Sequence, residues 1–378
     1  MTEPVAQSLT PPPAIASLLA RFDAGQRAAL ARAISIVENH RDGFDALLAA
    51  LHPRLGRARR IGITGPPGAG KSTITTALVE AMRTEGLTVA VVAVDPTSPF
   101  TGGALLGDRI RMERVALDPG VYIRSMATRG SLGGLAAATR ETCDVLDGFG
   151  FDRILIETVG VGQSELDVAR TADTSVVVLV PESGDSIQTL KAGVMEIADL
   201  FVVNKSDRPG ADRLRGDIEL MLGMRMGDVM RGVPSHHGVD LRALGAEARE
   251  EARKALSPGR AAREASADPH GTGNWVPAVV NTVAADGRGI PELAAAITRH
   301  FDYLAASGGL AARRRSRMRE RIVEVAEDRL RRRLWSDAGT QAFIDAAIPA
   351  LERGESTPFA IADALLARSA TLMAGLQT

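Results

Sequence analysis

A glycine-rich motif between an apolar run and a helical run constrains the fold of this chain more than any other feature. Residues 61–73 read IGITGPPGAGKST and contain the spacing Gly65-x-x-x-x-Gly70-Lys71-Ser72. Glycines let successive backbone N–H groups converge on phosphate oxygens, and the start of the following helix adds partial positive charge. The motif therefore predicts a nucleoside triphosphate site, whose phosphate-contacting residues are Gly65, Gly68, Ala69, Gly70, Lys71, Ser72 and Thr73.

Apolar strand-like runs alternate with helical patterns from residue 59 to about residue 300. The predicted strands are 60–64, 88–94, 153–157, 175–180, 200–203 and 276–282. This alternation predicts an α/β fold with a mostly parallel sheet between helices, and ligands bind at the carboxyl ends of such strands. We expect an N-terminal helical extension over 1–56, a nucleotide-binding domain over 57–305 with an insertion at 231–273, and a C-terminal helical region over 306–378.

Composition narrows the class of protein. The chain has 378 residues, of which 45% are hydrophobic, so it is long enough for one large α/β domain with helical additions. The formal net charge of −1 argues against nucleic acid or an anionic membrane as the main partner. A single cysteine, Cys143, excludes an internal disulfide. The sequence start lacks the basic and apolar regions of a signal peptide, so we expect a cytoplasmic protein.

The predicted strand at 200–203 is followed by Asn204, Lys205, Ser206 and Asp207. The Asp207 carboxylate can accept hydrogen bonds from guanine N1–H and the 2-amino group, which adenine lacks. Asn204 can bond the other edge of the base, and the Lys205 stem can pack over the ring. The pattern therefore favours GTP over ATP, since a polar site left unpaired by the wrong base discriminates strongly. The later residues Val283 and Ala284 are placed for a backbone contact to the guanine.

Carboxylates follow two other predicted strands. Asp95 and Asp108 lie after the second strand, and Glu157 ends the strand 153–157. We expect Lys71, Asp95, Asp108 and Glu157 to form the catalytic set and Ser72, Asp95 and Glu157 to bind Mg²⁺. Gly160 is placed to contact the γ-phosphate.

The residue after Gly160 bears on the rate of hydrolysis. Many GTPases have a water-orienting Gln there, whereas this chain has Val161, and Gln163 lies two residues further on. We therefore expect slow intrinsic hydrolysis that a partner accelerates.

Six stretches together resemble one family closely, the MeaB/ArgK-type accessory GTPases of adenosylcobalamin-dependent acyl-CoA mutases. The resemblance extends over roughly residues 25–305. It is carried by GITGPPGAGKST, AVDPTSPFTGGALLGDRIRM, SLGGLAAATRET, ILIETVGVGQSE, PESGDSIQTLKAG and VVNKSD. ETVGVGQSE and LLGDRIRM are far more diagnostic than the phosphate loop.

The resemblance implies a function. It implies that GTP or GDP binds with Mg²⁺, that adenosylcobalamin belongs to a partner mutase, and that GTP hydrolysis gates loading, protection or reactivation of that mutase. The implied client is methylmalonyl-CoA mutase or a close relative such as 2-hydroxyisobutyryl-CoA mutase. The resemblance also implies an extra switch over 182–193, including Asp185, Gln188 and Lys191, and a homodimer formed through the C-terminal helices.

Other functions remain as alternatives. A nickel- or cobalt-insertion GTPase would use Cys or His clusters, and a small-molecule kinase would use an acceptor pocket with lid arginines. His236 and His237 are neighbours that point apart on a regular element, which disfavours a shared metal ion. The arginine runs at 313–315 and 331–333 flank an apolar helical stripe, so a packed or dimerising helix is favoured over an RNA-binding one; Trp335 fits its packing face.

Overall fold

A computed structural model of the chain describes residues 11–96, 112–128, 134–158, 168, 170–181, 197–225 and 275–374. Two compact units divide the chain after Ala311, and each is described by itself. In the first unit the strands are β1 Arg59–Thr64, β2 Val89–Pro96, β3 Val121–Thr128, β4 Arg153–Thr158, β5 Thr174–Leu179, β6 Leu200–Val203 and β7 Ala278–Asn281.

The helices begin before the sheet and continue to the end of the described chain. They are α1 Pro13–Asp23, α2 Arg27–Glu38, α3 Phe44–Leu51, α4 Lys71–Thr84, α5 Glu113–Ala116, α6 Gly134–Phe149, α7 Ala211–Arg225, α8 Ile290–Ala306, α9 Gly309–Ser336, α10 Ala338–Glu352 and α11 Pro358–Ala374. Helix α9 crosses the division between the units. No helix in the described ranges combines the length and apolarity needed to cross a bilayer.

The strands form one sheet in the order β3-β2-β4-β1-β5-β6-β7, and every neighbouring pair is parallel. This architecture confirms the α/β prediction and six of its strands. The seventh, β3, was not predicted because it lies at the edge of the sheet and pairs with β2 alone. Its side chains between Val121 and Met126 are half-buried, so the strand lacks the continuous apolar run that marks buried parallel strands.

Both faces of the sheet are covered by apolar packing. On one face Ala90, Val92 and Val94 of β2 share a core with α1–α3 and α6, while Val89 and Val91 face α4 and α8 on the other. The predicted N-terminal helices therefore belong to the core of the first unit. Helix α8 follows Gly289, has Pro291 in its first turn, and buries a stripe at helical spacing: Ile290, Leu293, Ala296, Ile297, Phe301 and Leu304.

A buried polar cluster holds the start of β1, the strand that leads to the glycine-rich loop. The Asp147 carboxylate accepts hydrogen bonds from the backbone N–H groups of Gly56, Arg57 and Ala58 at 2.8–3.1 Å. Arg60 donates to Asp144 at 2.7 Å and to Asp147 at 3.3 Å. Burial opposes the charged form of Arg60, but the two carboxylates outweigh it and raise its pKa.

Cys143 lies on α6 beside this cluster and is fully buried. Burial, the largest effect, raises the pKa of the Cys143 thiol to about 12, although Arg60 acts in the opposite direction. The cysteine therefore packs as a small core residue, as its place in an apolar helical pattern indicates.

The second unit, from Ala312 onward, is helical and carries most of the exposed large apolar side chains. Among the described residues, eight of nine such side chains lie there: Met318, Ile322, Val323, Leu330, Trp335, Ile348, Phe359 and Leu366. Trp335 is 50% exposed, so within one chain it is not packed as its place on the stripe led us to expect.

Candidate functional site

The glycine-rich loop connects the buried strand β1 to helix α4 at the carboxyl edge of the sheet. Gly65, Gly68 and Gly70 have φ values of 138°, 77° and 89°, in the region that favours glycine. A Cβ at Gly65 would lie 2.0 Å from the carbonyl oxygen of Val178 on β5, so the loop packs directly against that strand. Glycine is therefore required by backbone conformation and, at Gly65, by close approach.

Lys71 begins α4 and folds back over the loop. Its ammonium group donates to the carbonyl oxygens of Gly65 at 2.9 Å and Pro66 at 3.0 Å, and the residue is only 6% exposed. Among the other predicted phosphate contacts, Ala69 is buried, while Gly68 and Thr73 are exposed. The loop therefore holds a positive charge at the amino terminus of a helix, the arrangement that binds phosphate groups.

Ser72 and Glu157 meet where α4 begins and β4 ends. The Ser72 hydroxyl donates to Oε1 of Glu157 at 2.5 Å, and the Glu157 residue is 6% exposed. A hydroxyl and a carboxylate are the hard oxygen ligands that Mg²⁺ takes beside nucleotide phosphates. These two residues therefore fit the predicted metal site.

Asn204 ties three parts of the site together. Its amide nitrogen donates to the Ala69 carbonyl at 2.8 Å, and its amide oxygen accepts from the Thr282 hydroxyl at 3.0 Å and the Ala284 N–H at 3.2 Å. The residue is 3% exposed. We predicted Asn204 as a base-contacting residue, and the structure gives its amide a further task, that of joining the phosphate loop to the segment after β7.

The residues after Asn204 turn back toward β7. Lys205 has a φ of 54°, and the Ser206 N–H donates to the Thr282 carbonyl at 3.0 Å. Asp207 is exposed at the edge of this turn. The arrangement leaves the Asp207 carboxylate accessible to a ligand while the turn that carries it is held by the sheet.

The predicted base-contacting segment Val283–Ala284 lies beside the same turn. Val283 N–H donates to the Arg288 carbonyl at 3.0 Å, and Ala284 begins a short 3₁₀ turn. Through Asn204, this segment and the phosphate loop therefore share one set of hydrogen bonds.

Several predicted residues have side chains that the structure does not describe. Asp95 is in β2 and pairs with Ala127 of β3, but only its backbone is described. The remaining predictions outside the described ranges are Asp108, Gly160, Asp185, Gln188, Lys191 and the insertion 231–273.

Three residues next to the site were missed. Thr64 and Thr158 end β1 and β4, and the Thr158 hydroxyl donates to that of Thr64 at 3.0 Å in a buried setting. A polar residue ending an otherwise apolar strand, directly beside a predicted site loop, was the available signal. Thr282 was missed for another reason: its bond to Asn204 joins residues 78 positions apart, so no local pattern in the sequence signals it.

A glycine-rich phosphate loop between the first strand of a parallel sheet and a helix places the chain among the P-loop nucleoside triphosphatases. The chain belongs to the family described as methylmalonyl Co-A mutase-associated GTPase MeaB, whose sequence profile matches residues 30–339.

Individual relatives agree with this membership. A Pyrococcus horikoshii protein named as a GTPase is 45% identical over 311 residues, which cover 82% of this chain and 85% of that protein. The mouse protein named methylmalonic aciduria type A homolog, mitochondrial, is 33% identical over 360 residues, covering 90% of this chain and 76% of that one.

A solved structure described as a LAO/AO transport system kinase is also similar. It has a TM-score of 0.59 and 26% identity, and the match covers 96% of this chain and 98% of that one. Family and relatives together make this chain a P-loop GTPase, whose class binds GTP and GDP, generally with Mg²⁺.

Proposed function

We propose that the chain is a GTP-dependent accessory protein that gates cofactor loading, protection or reactivation of an adenosylcobalamin-dependent acyl-CoA mutase. The proposal extends the family's association with methylmalonyl-CoA mutase to this chain. The family match supports the link to a mutase, and the Asn204 amide, which joins the phosphate loop to the segment after β7, supports the guanine-nucleotide part of the proposal. Adenosylcobalamin belongs to the partner.

In this proposal the described residues bind and orient the nucleotide. Lys71 contacts the β- and γ-phosphates, Asp207 accepts hydrogen bonds from guanine, and Ser72 and Glu157 hold Mg²⁺. The metal ion, when bound, neutralises charge on the phosphate oxygens. Glu157 is one methylene longer than the aspartate usual at this place, and its carboxylate accepts a hydrogen bond from the Ser72 hydroxyl.

Residues whose side chains the structure does not describe complete the proposal. Asp95 and Asp108 serve as further carboxylates of the Mg²⁺ and switch region, and Gly160 contacts the γ-phosphate. Asp185, Gln188 and Lys191 form an additional switch that relays the state of the nucleotide to the mutase. Intrinsic hydrolysis is slow because Val161 stands where many GTPases have a water-orienting glutamine.

The second unit serves as a dimerisation region. Met318 and Ile322 lie four residues apart on one side of α9 and are 52% and 70% exposed. Helical spacing of exposed apolar side chains indicates a surface that a partner helix covers. A second copy of the chain is the proposed partner, and the measurement is the molar mass of the full chain in solution, compared with that of an Ile322→Glu variant.

The deciding experiment is GTP hydrolysis by the full chain with and without candidate mutases, using ATP as the nucleotide control. Methylmalonyl-CoA mutase and 2-hydroxyisobutyryl-CoA mutase are the two clients to compare. We expect slow hydrolysis of GTP alone and stimulation by one of the mutases.

Two results would contradict parts of this proposal. Rapid GTP turnover that no mutase changes would remove the partner-gated mechanism and leave the GTPase in place. Preference for ATP would overturn the role of Asp207 in reading the base.

A further inference from the structure

Two buried hydroxyl groups join the strands that carry the phosphate loop and Glu157. Thr158 Oγ1 donates to Thr64 Oγ1 at 3.0 Å, and each residue is 1% exposed. Both residues are the last of their strands, β1 and β4. Thr64 directly precedes Gly65, and Thr158 directly follows Glu157.

The hydroxyl bond lies where the sheet separates into loops. The paired register of β1 and β4 ends at Ile63 opposite Glu157, one residue before the two threonines. On their outer sides, Thr64 is aligned with Val177 of β5 and Thr158 with Val94 of β2. The threonine hydroxyls therefore extend the contact between the two central strands by one residue, at the point where the phosphate loop begins.

We propose that Thr64 and Thr158 are positioning residues that fix the separation between Ser72 and Glu157. Ser72, at the start of α4 beyond the loop that follows β1, and Glu157, near the end of β4, reach each other with their oxygens 2.5 Å apart. Mg²⁺ demands near-ideal octahedral geometry with ligand distances of about 2.0–2.1 Å, so a small displacement of one strand end weakens its binding. This inference rests on the proposed Mg²⁺ role of Ser72 and Glu157.

Threonine also favours β-strands, so packing of its methyl group is the competing explanation for threonine at positions 64 and 158. Valine has nearly the same shape but lacks the hydroxyl, whereas serine keeps the hydroxyl and lacks the methyl group. A packing role is retained by valine and impaired by serine. A positioning role through the hydrogen bond is instead retained by serine and lost with valine.

The test compares T64V, T158V, the double variant and T158S in the full chain. The measured quantities are the Mg²⁺ concentration that half-saturates GTP hydrolysis, kcat and KM for GTP at saturating Mg²⁺, and GDP affinity in EDTA. We expect the half-saturating Mg²⁺ concentration to rise about tenfold in each valine variant, because the strand ends that carry the two ligands are no longer held together. The double variant should be no worse than either single one, because both remove the same bond.

T158S should retain the wild-type Mg²⁺ requirement, and metal-free GDP affinity should stay within about twofold in all variants. Thermal unfolding checks that each variant is folded. If T158V does not fold, T64V still tests the inference, because it removes the same hydrogen bond from the other strand. A wild-type Mg²⁺ requirement in a folded valine variant would overturn the inference.

Ser72→Ala separates this result from failure of the proposed function. If Ser72→Ala raises the Mg²⁺ requirement and the valine variants do not, the metal site stands and the positioning role is wrong. If Ser72→Ala also leaves it unchanged, the metal assignment is wrong and the inference is overturned with it.

Discussion

The side-chain amide of Asn204 lies so close to Gly70 that a Cβ at that glycine would be 2.3 Å from Nδ2. The same nitrogen donates to the carbonyl of Ala69, the neighbouring residue in the phosphate loop. The turn after β6 and the loop after β1 therefore pack in direct contact, and this contact leaves no room for a side chain at position 70.

Gly70→Ala should destabilise the nucleotide-free protein more than Gly68→Ala does. Both glycines have positive φ, so each alanine costs about 1–2 kcal/mol of backbone strain. A Cβ at Gly68 meets nothing within 4 Å, whereas one at Gly70 displaces the buried Asn204 amide. Losing its hydrogen bonds adds about 1–3 kcal/mol.

The measurement is urea unfolding of both variants in EDTA without nucleotide. Gly68→Ala is the matched control for the left-handed backbone. Equal loss of unfolding free energy in the two variants would contradict the steric fit between Gly70 and Asn204.

Asp207→Asn should change which base is bound without changing stability. An amide can no longer accept both hydrogen bonds from guanine, but it can donate to the 2-oxo group of xanthine. We expect at least a tenfold loss of GTP affinity and a gain for xanthosine triphosphate, with a melting temperature near that of the wild type because Asp207 is exposed.

Nucleotide titration with GTP, ATP and xanthosine triphosphate provides the measurement. Asp212→Asn, on the nearby helix α7, is a control for the removal of one carboxylate charge. Parallel loss of all three nucleotides would point to a folding defect, and unchanged GTP affinity would remove Asp207 from the base site.

Cys143 should report unfolding of the first unit by its reactivity. Thiols react as thiolates, and burial raises the Cys143 pKa to about 12, so at pH 8 the native thiol is both protonated and covered. The unfolded thiol has a pKa near 8.5 and reacts readily. We expect labelling with a thiol reagent at pH 8 to follow the unfolding curve in urea, and rapid labelling without denaturant would contradict the buried position.

His300→Ala should destabilise the first unit by about 2–4 kcal/mol. The fully buried imidazole lies 2.9 Å from the Thr174 hydroxyl through Nδ1 and 3.3 Å from the Asp199 carboxylate through Nε2. Truncation opens a cavity and removes the hydrogen-bond partner of the buried Thr174 hydroxyl. Thermal unfolding measures the loss, and His52→Ala, at an exposed position outside the core, is the control.

The central part of the fold follows from the sequence because buried parallel strands are continuous apolar runs, which local composition reveals. The edge strand β3 is half-buried and includes Arg124, whose ion pair with Glu38 of α2 depends on the packed N-terminal helices. A contact over that separation has no local signal in one sequence.

The candidate site divides in the same way. The types and spacing of Lys71, Ser72 and Asp207 follow from the chemistry of phosphates and guanine, so sequence motifs predict them. The hydrogen bonds of Asn204 and of the Thr64–Thr158 pair depend on which strands become neighbours. No local sequence pattern predicts the strand order β2-β4-β1-β5.

The two tryptophans of the chain lie one in each unit. Trp275 donates its indole N–H to the Asp199 carbonyl at 2.8 Å and its ring lies 4.7 Å from the His300 ring at a tilt of 56°, whereas Trp335 is half exposed on α9. We expect the partly buried Trp275 and the half-exposed Trp335 to fluoresce at different wavelengths. Replacing either by phenylalanine leaves a native optical probe of a single unit, so events at the nucleotide domain and at the C-terminal helices become separable in one unlabelled chain.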